Sequence, residues 1–329
     1  MPSFGDFVHT QFVLKIPKPS ASFTSKTVII TGGNSGLGKE AAKHIVRLGA
    51  SKVILACRSQ SRGKNAKQEI EALLKCSPDI IEVWELDLES PSSIKSFVER
   101  ANDLPRLDVL INNAGIQTIK FKVVYDTERC LAVNVIGTLL LALQMIPKLK
   151  ESTRTHGTTP HLTFVGSALY DAAKWPENHS DDIFAWFKEK SHMDPMNQYN
   201  LSKLLLMFAV IKLSAAVDPV ETSETNPIVI NTLDPFFCKT GLASELTGVI
   251  KVLFKIFEAI AARSSEEGSR LVVQAASAGR QTHGLYMRAG AVQEYAPVVQ
   301  DDKRVSYVWD LLCKKLEKLQ PGILQNIKS

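Results

Sequence analysis

Tyr199 and Lys203 stand four residues apart in the stretch Tyr199-Asn-Leu-Ser-Lys203. On a helix that spacing puts a phenol and an ammonium on one face, one turn apart. A free phenol ionises at a pKa of about 10. A fixed positive charge beside it favours the phenolate and brings proton exchange toward neutral pH. Far upstream, Thr31-Gly-Gly-Asn-Ser-Gly-Leu-Gly38 places Gly32, Gly36 and Gly38 in a G-x-x-x-G-x-G pattern. A turn of this kind between a strand and a helix offers backbone N–H groups to the phosphates of a dinucleotide. Ser35 and Leu37 are placed to supply such groups, and Ser35 also a hydroxyl. A plain tight turn packing strand on helix is the alternative. Together the two motifs suit hydride transfer with tyrosine as the acid or base.

The elements that would position these groups alternate. Apolar runs predict strands at Lys26–Thr31, Val53–Ala56, Ile81–Leu86, Leu107–Ile111, His161–Val165 and Ile228–Leu233. Between them, helices are expected over Lys39–Leu48 with Gly49 as its stop, from a Ser59 cap toward Leu74, over Ser92–Ala101, Thr127–Leu149 and Asn200–Ala216. Nearly continuous apolar strands in this order imply one α/β domain, a Rossmann-like doubly wound parallel sheet with helices on both faces. Residues 1–25 read as an N-terminal extension, 26–295 as the core domain and 296–329 as a tail with a helix at Ser306–Leu319. Two segments exceed the minimum fold, 169–198 and 241–262, and both follow strand ends where a ligand crevice is expected.

The chain has 329 residues, 45% hydrophobic, with a net charge of +5 and a pI near 8.8. The mild basic excess fits an anionic cofactor, and no basic run suggests nucleic acid. Cys57, Cys76, Cys130, Cys238 and Cys313 are scattered, which suggests neither a zinc site nor a disulfide framework and fits a reducing, cytoplasmic setting. Met1–Lys18 lacks the apolar run of a secretory signal, and no window approaches the roughly 18 uninterrupted apolar residues of a spanning helix.

Where NAD-selective sites carry an acid about 20 residues past the glycines, this chain has Leu55-Ala-Cys-Arg58. Without a carboxylate to repel a 2′-phosphate, and with Arg58 able to pair with one through its planar fork, NADP(H) is expected over NAD(H). A solvated surface arginine is the bland alternative. Asp87, ending the third strand, could accept a hydrogen bond from the adenine amino group or cap the next helix.

The joint pattern of TGGNSGLG at 31–38, NNAG at 112–115, Asn134, VGS at 165–167 and YNLSK at 199–203 resembles the short-chain dehydrogenase/reductase family over residues 26–290. It is most similar to the branch of retinol-dehydrogenase-like and secondary-metabolite reductases. The resemblance implies that Tyr199 exchanges a proton with the substrate oxygen, and that Lys203 binds the nicotinamide ribose and lowers the tyrosine pKa. It implies that Ser167 hydrogen-bonds the substrate oxygen and that Asn134 holds a water leading from the lysine to solvent. Asn113, Ala114 and Gly115 are expected to form the crevice floor near the adenosine ribose, and Thr240 to contact the nicotinamide carboxamide or pyrophosphate. No metal site is expected.

One departure stands out. The family usually has Pro-Gly where this chain has Pro235-Phe236, so the ring could narrow the nicotinamide pocket, rotate the loop or weaken cofactor binding. Tyr170, Trp175, Phe184, Trp186, Phe187 and Met193 form either an apolar pocket wall or packing for the excursion. The Gly248–Ala261 stretch reads as a substrate lid, with contact to a membrane surface as the less favoured option. His179 and His192 are given no catalytic part. The expected activity is reduction of a ketone or aldehyde, or the reverse alcohol oxidation, on a bulky apolar small molecule such as a secondary-metabolite intermediate. The rivals are a non-redox step such as cyclisation, and a non-enzymatic NADPH sensor. A monomer and a homodimer paired through Thr127–Leu149 and Asn200–Ala216 are both open.

Overall fold

The computed structural model describes residues 4–177, 181–217, 228–241 and 248–328. Its centre is an eight-stranded sheet of β1 (Thr27–Thr31), β2 (Lys52–Cys57), β3 (Ile81–Glu85), β4 (Val109–Asn112), β5 (His161–Val165), β6 (Val229–Asp234), β7 (Tyr286–Arg288) and β8 (Ala291–Gln293). The spatial order is β8-β7-β6-β5-β4-β1-β2-β3. Every pairing is parallel except β7 with β8. The chain runs outward from β1 to β3, then restarts at β4 on the other side of β1, with Ile30 opposite Ile111. That reversal leaves a crevice beyond the carboxyl ends of β1 and β4, where such sheets take their ligands.

The strands are buried on both faces because side chains alternate across the pleat. Val28, Ile30, Val53 and Leu55 enter one apolar cluster, while Ile29 and Ile54 enter the other. The first cluster is covered by α2 (Gly36–Arg47), α3 (Gln60–Leu74) and α8 (Ser265–Ala275), which contribute Ile45, Ile70 and Val272. The second is covered by α4 (Pro91–Asn102), α5 (Arg129–His156), α6 (Pro195–Val217) and α9 (Asp302–Leu319). Both α5 and α6 are long and apolar, and their apolar windows are 89% and 72% buried, as core helices require. Within α5, residues Ala132–Gly137 take a π-helical turn that carries Asn134. Such turns often mark functional positions.

The expected strands and helices are present with shifts at their ends; α6 starts at Pro195 and α9 at Asp302. Ser59 caps α3 by accepting from Arg62 N. The N-terminal extension is not a loose overhang. Residues Phe4–Val8 form a short helix, α1, and His9–Val13 a π-helical turn, both packed back on the core. The C-terminal segment lies across α5 and α6, burying Val308, Leu312, Leu316, Ile323 and Ile327, and Asn326 Nδ2 donates to Leu143 O at 3.1 Å.

Candidate active site

A cleft of about 900 Å³ opens at the carboxyl ends of β1, β4, β5 and β6. Gly32, Ser35, Gly36, Leu37, Arg58, Asp87, Asn113, Ala114, Gly115, Ser167, Tyr199, Lys203 and Thr240 line it, whereas Gly38 and Asn134 stand behind the lining. On its nucleotide side, Gly32 and Gly36 hold φ of +66° and +52°, angles that side chains resist. A Cβ on Gly38 would sit 2.6 Å from both Asn113 Nδ2 and Gly32 O, so only glycine lets α2 begin there. Asn113 fixes the turn from the β4 side: its Nδ2 donates to Thr31 O at 2.8 Å, while the Asn113 and Ala114 N–H groups donate to Thr31 Oγ1 at 3.0 and 2.9 Å. Ser35 is the N-cap of α2, yet its hydroxyl makes no capping bond. The α2 N-terminus with its unspent hydroxyl therefore fits an anionic pyrophosphate.

Farther along, Arg58 lines the cleft together with Arg62, which sequence reading did not single out. The signal was available, since Arg62 lies four residues past Arg58, at the spacing of one helical turn. Arg58 Nη1 is 3.5 Å from Glu89 Oε1, a carboxylate also held by Lys122 at 2.6 Å and Arg129 at 2.7 Å. Three cations around one mostly buried carboxylate leave this end positive. Asp87 is not the cap of α4: Ser90 fills that place, accepting from Ser93 N at 3.2 Å, while Asp87 Oδ1 accepts from Glu89 N at 3.0 Å.

The catalytic candidates meet at the floor. Tyr199 and Lys203 lie on α6, with Lys203 Nζ 5.6 Å from the centre of the tyrosine ring. The Lys203 ammonium donates to Val165 O at 2.8 Å, at the end of β5. Gly115 lets the backbone pass close to Asn134, since a Cβ there would lie 3.2 Å from Asn134 Oδ1. Ser167, two residues past Val165, accepts from Leu169 N at 3.2 Å and lies near enough to the Tyr199 phenol to oppose the rise in its pKa. Burial pulls the Lys203 pKa down to about 8. Burial pushes the Tyr199 phenol up, helped by Cys130 and Asp234 and opposed by Ser167. Desolvation dominates, and the phenol is held protonated. Asn134 ties neighbouring segments together through its side chain. Its Nδ2 donates to Ile116 O and to Ser202 Oγ, each at 2.9 Å, and Oδ1 accepts from Ile116 N at 2.8 Å. Both amide hydrogens are engaged, so any water beside it would rest on an oxygen lone pair.

Phe236 keeps the backbone that glycine would adopt, with φ +66°. Its ring is largely buried in the smaller core cluster, with the guanidinium groups of Arg288 and Arg263 at 5.3 and 5.9 Å, and the residue also lines the cleft. The loop is therefore not rotated out of the left-handed form. Asp234, unremarked in the sequence, anchors it: Oδ1 accepts from Phe236 N at 3.2 Å, Oδ2 meets Arg288 Nε at 3.2 Å, and the nearby Ala168 N–H beside the serine favours the charged carboxylate.

The large aromatics of the excursion are absent from the cleft wall. Tyr170, Phe184 and Phe187 are buried in the large core cluster, and Trp175 and Trp186 pack against it. Tyr170 sits edge-on to Tyr286 at 5.4 Å; Trp175 meets Tyr307 of α9 at 6.4 Å. These side chains dock the excursion on the C-terminal helix, where more apolar surface is available than at the cleft. His192 Nδ1 lies 2.7 Å from Trp186 O, and His179 lies outside the described residues. The wall comes instead from Leu169, Ala172 and Met196, from Phe254, Phe257 and Glu258 of α7 (Gly248–Ala261), and from Phe7, Thr10 and Gln11 of the N-terminal arm. Residues 242–247 of the second long segment lie outside the described residues.

Comparison with known proteins agrees with this geometry. Residues 26–174 match the short chain dehydrogenase family model. A short chain dehydrogenase/reductase of Cryptosporiopsis sp. is 37% identical over 97% of this chain and 99% of its own length. A short chain dehydrogenase of Emericella nidulans is 39% identical over 88% and 92%. Among solved structures, the RhlG/NADP active-site complex of Pseudomonas aeruginosa superposes with a TM-score of 0.61 at 18% identity, covering 81% of this chain and 95% of that one. A putative short chain dehydrogenase of Escherichia coli complexed with NADPH gives 0.59 at 19% identity, covering 82% and 99%. The chain belongs to the short-chain dehydrogenase/reductase family of oxidoreductases.

Proposed function

We propose that this protein reduces a ketone or aldehyde on a bulky, largely apolar molecule with NADPH, and that Tyr199 supplies the proton. The observation that carries this reading is the convergence of Tyr199, Lys203 and Ser167 with the glycine turn in one cleft. A bound nicotinamide would supply the hydride. Tyr199, held neutral, donates its phenolic proton to the substrate oxygen, and Ser167 donates a hydrogen bond to the same oxygen as charge gathers there. Lys203 sits close enough to stabilise the phenolate left behind. Asn134 holds Ile116, and with it the floor beneath the lysine.

Preference for the phosphorylated nucleotide rests on Arg58 and Arg62 at the end of β2 and on the cationic surroundings of Glu89. Preference for bulk rests on a mainly apolar wall that includes Leu169, Met196, Phe254 and Phe257. The α9 segment covering α5 and α6 supports a monomer, since the helical face available for pairing is already occupied. The left-handed backbone of Phe236, with its ring in the core, favours the redox reading over the non-redox rival. Titration with NADPH and NADH, followed by turnover with fluorenone as a bulky ketone, tests the proposal. Tighter binding of NADPH and its oxidation on adding ketone are expected; binding of neither nucleotide would overturn it.

A further inference from the structure

We propose that the N-terminal arm, residues 4–16, is a working wall of the active site selecting flat, aromatic carbonyl compounds, and that an Asp6–Arg288–Asp234 chain of charges sets its position against the catalytic serine turn. The proposal rests on the carbonyl-reductase reading above and adds the substrate class. Three arginines from the far end of the sequence tie the arm down. Arg288 grips Asp6 through both nitrogens, at 3.1 and 2.8 Å. Arg263 Nε donates to Thr10 O at 2.7 Å and its other end to Leu14 O, while Arg270 donates to Ile16 O. Arg263 is only 6% exposed in its side chain, and Arg270 and Arg288 18% each. A five-residue helix has no stability of its own, so these contacts hold α1 in place. Desolvating three guanidinium groups is costly unless each is well paired.

The grip continues into the chemistry. Arg288 binds Asp234 on its other side, and Asp234 accepts from the Phe236 N–H and is favoured as a carboxylate by the nearby N–H of Ala168, next to Ser167. A pull on the arm is therefore carried through two ion pairs to the turn holding the serine. On the cleft side the arm presents Phe7, whose ring stacks at 6.3 Å on Phe257; Phe257 stacks at 5.2 Å on Phe237, which meets Phe254 edge-on at 6.0 Å. Phe7, Phe254, Phe257 and Phe237 line the same cleft as Tyr199. Rings stacked on one another in this way leave an apolar rim of ring edges, which complements the face of a planar aromatic ligand through edge-to-face contact. The family match begins at residue 26, so the arm lies outside it.

The test compares Asp6→Asn and Phe7→Ala with the wild type on two ketones, fluorenone as the flat aromatic probe and diacetyl as a small one. Dissociation constants for fluorenone by equilibrium dialysis with NADPH present are measured alongside. For both variants we expect KM and Kd for fluorenone to rise about tenfold or more. The kcat/KM for diacetyl should fall by a clearly smaller factor, so that the fluorenone-to-diacetyl preference drops several-fold, while the NADPH affinity stays within about twofold because the arm does not touch the glycine turn directly. Equal losses on both ketones, or none on either, would overturn the role of the arm. So would failure of the wild type to bind fluorenone. If the wild type binds fluorenone and the variants weaken that binding while nothing is reduced, the arm stands and the reductase reading falls.

Discussion

The nucleotide half of the cleft and the substrate half are built in different ways. The nucleotide half is mostly continuous: strand, glycine turn, helix and next strand, residues 27–58, tied to Asn113 and Ala114 beyond β4 and to Glu89. The substrate half is gathered from residues 4–16, 167–172, 234–240 and 254–258, and is joined largely by Arg263 and Arg288. Local hydrogen bonds shape the first, and long-range ion pairs shape the second. A family can therefore keep its cofactor chemistry while changing its substrate, because the two halves share only the catalytic floor.

Several measurements would break or sharpen this contrast. Replacing Arg58 and Arg62 together by alanine should weaken NADPH binding about 100-fold while changing NADH little, since each lost charge-assisted bond costs about 1.5–3 kcal/mol. Equal loss for both nucleotides in parallel titrations would show that these arginines do not read a 2′-phosphate. Phe236→Gly separates ring from backbone. Relief of the left-handed residue gains about 1–2 kcal/mol, whereas removal of the buried ring costs about 3–5 kcal/mol. Net destabilisation in urea titrations is expected, and a gain in stability would mean that strain governs this position.

The pH dependence tests the floor. Lys203, at about 8, is charged below that pH and neutral above it. The phenol of Tyr199 is held neutral by burial through the same range. The kcat/KM for reduction should therefore be level below pH 8 and fall about tenfold per unit above it, as one proton is lost. A profile rising through that pH would contradict this assignment. The smallest effect is expected at Trp175, whose ring packs on Tyr307 and Arg304 away from the cleft. Trp175→Leu should lower the melting temperature yet leave KM for fluorenone within about twofold; a large change in KM would return the excursion to the substrate wall.

What could be read from the sequence follows the same division. Strand and helix periodicity, the glycine turn and the Tyr199–Lys203 spacing depend on neighbours within one or two elements, and those features are present at the expected places. The aromatic excursion was ambiguous because burial against α9 and burial against a ligand demand the same residue types. Asp234, Arg288 and Asp6 were missed because their meaning comes from a contact spanning 282 residues, which no local pattern carries. The burial that raises the tyrosine pKa is likewise invisible in the spacing, because it depends on the whole packed floor.

The account turns on the phenol of Tyr199 as the proton source for carbonyl reduction. Its most direct test is the rate of fluorenone reduction by Tyr199→Phe, measured beside the Kd for NADPH. A loss in kcat of about 100- to 10,000-fold, with nucleotide affinity nearly unchanged, is the predicted result; turnover close to that of the wild type would contradict it.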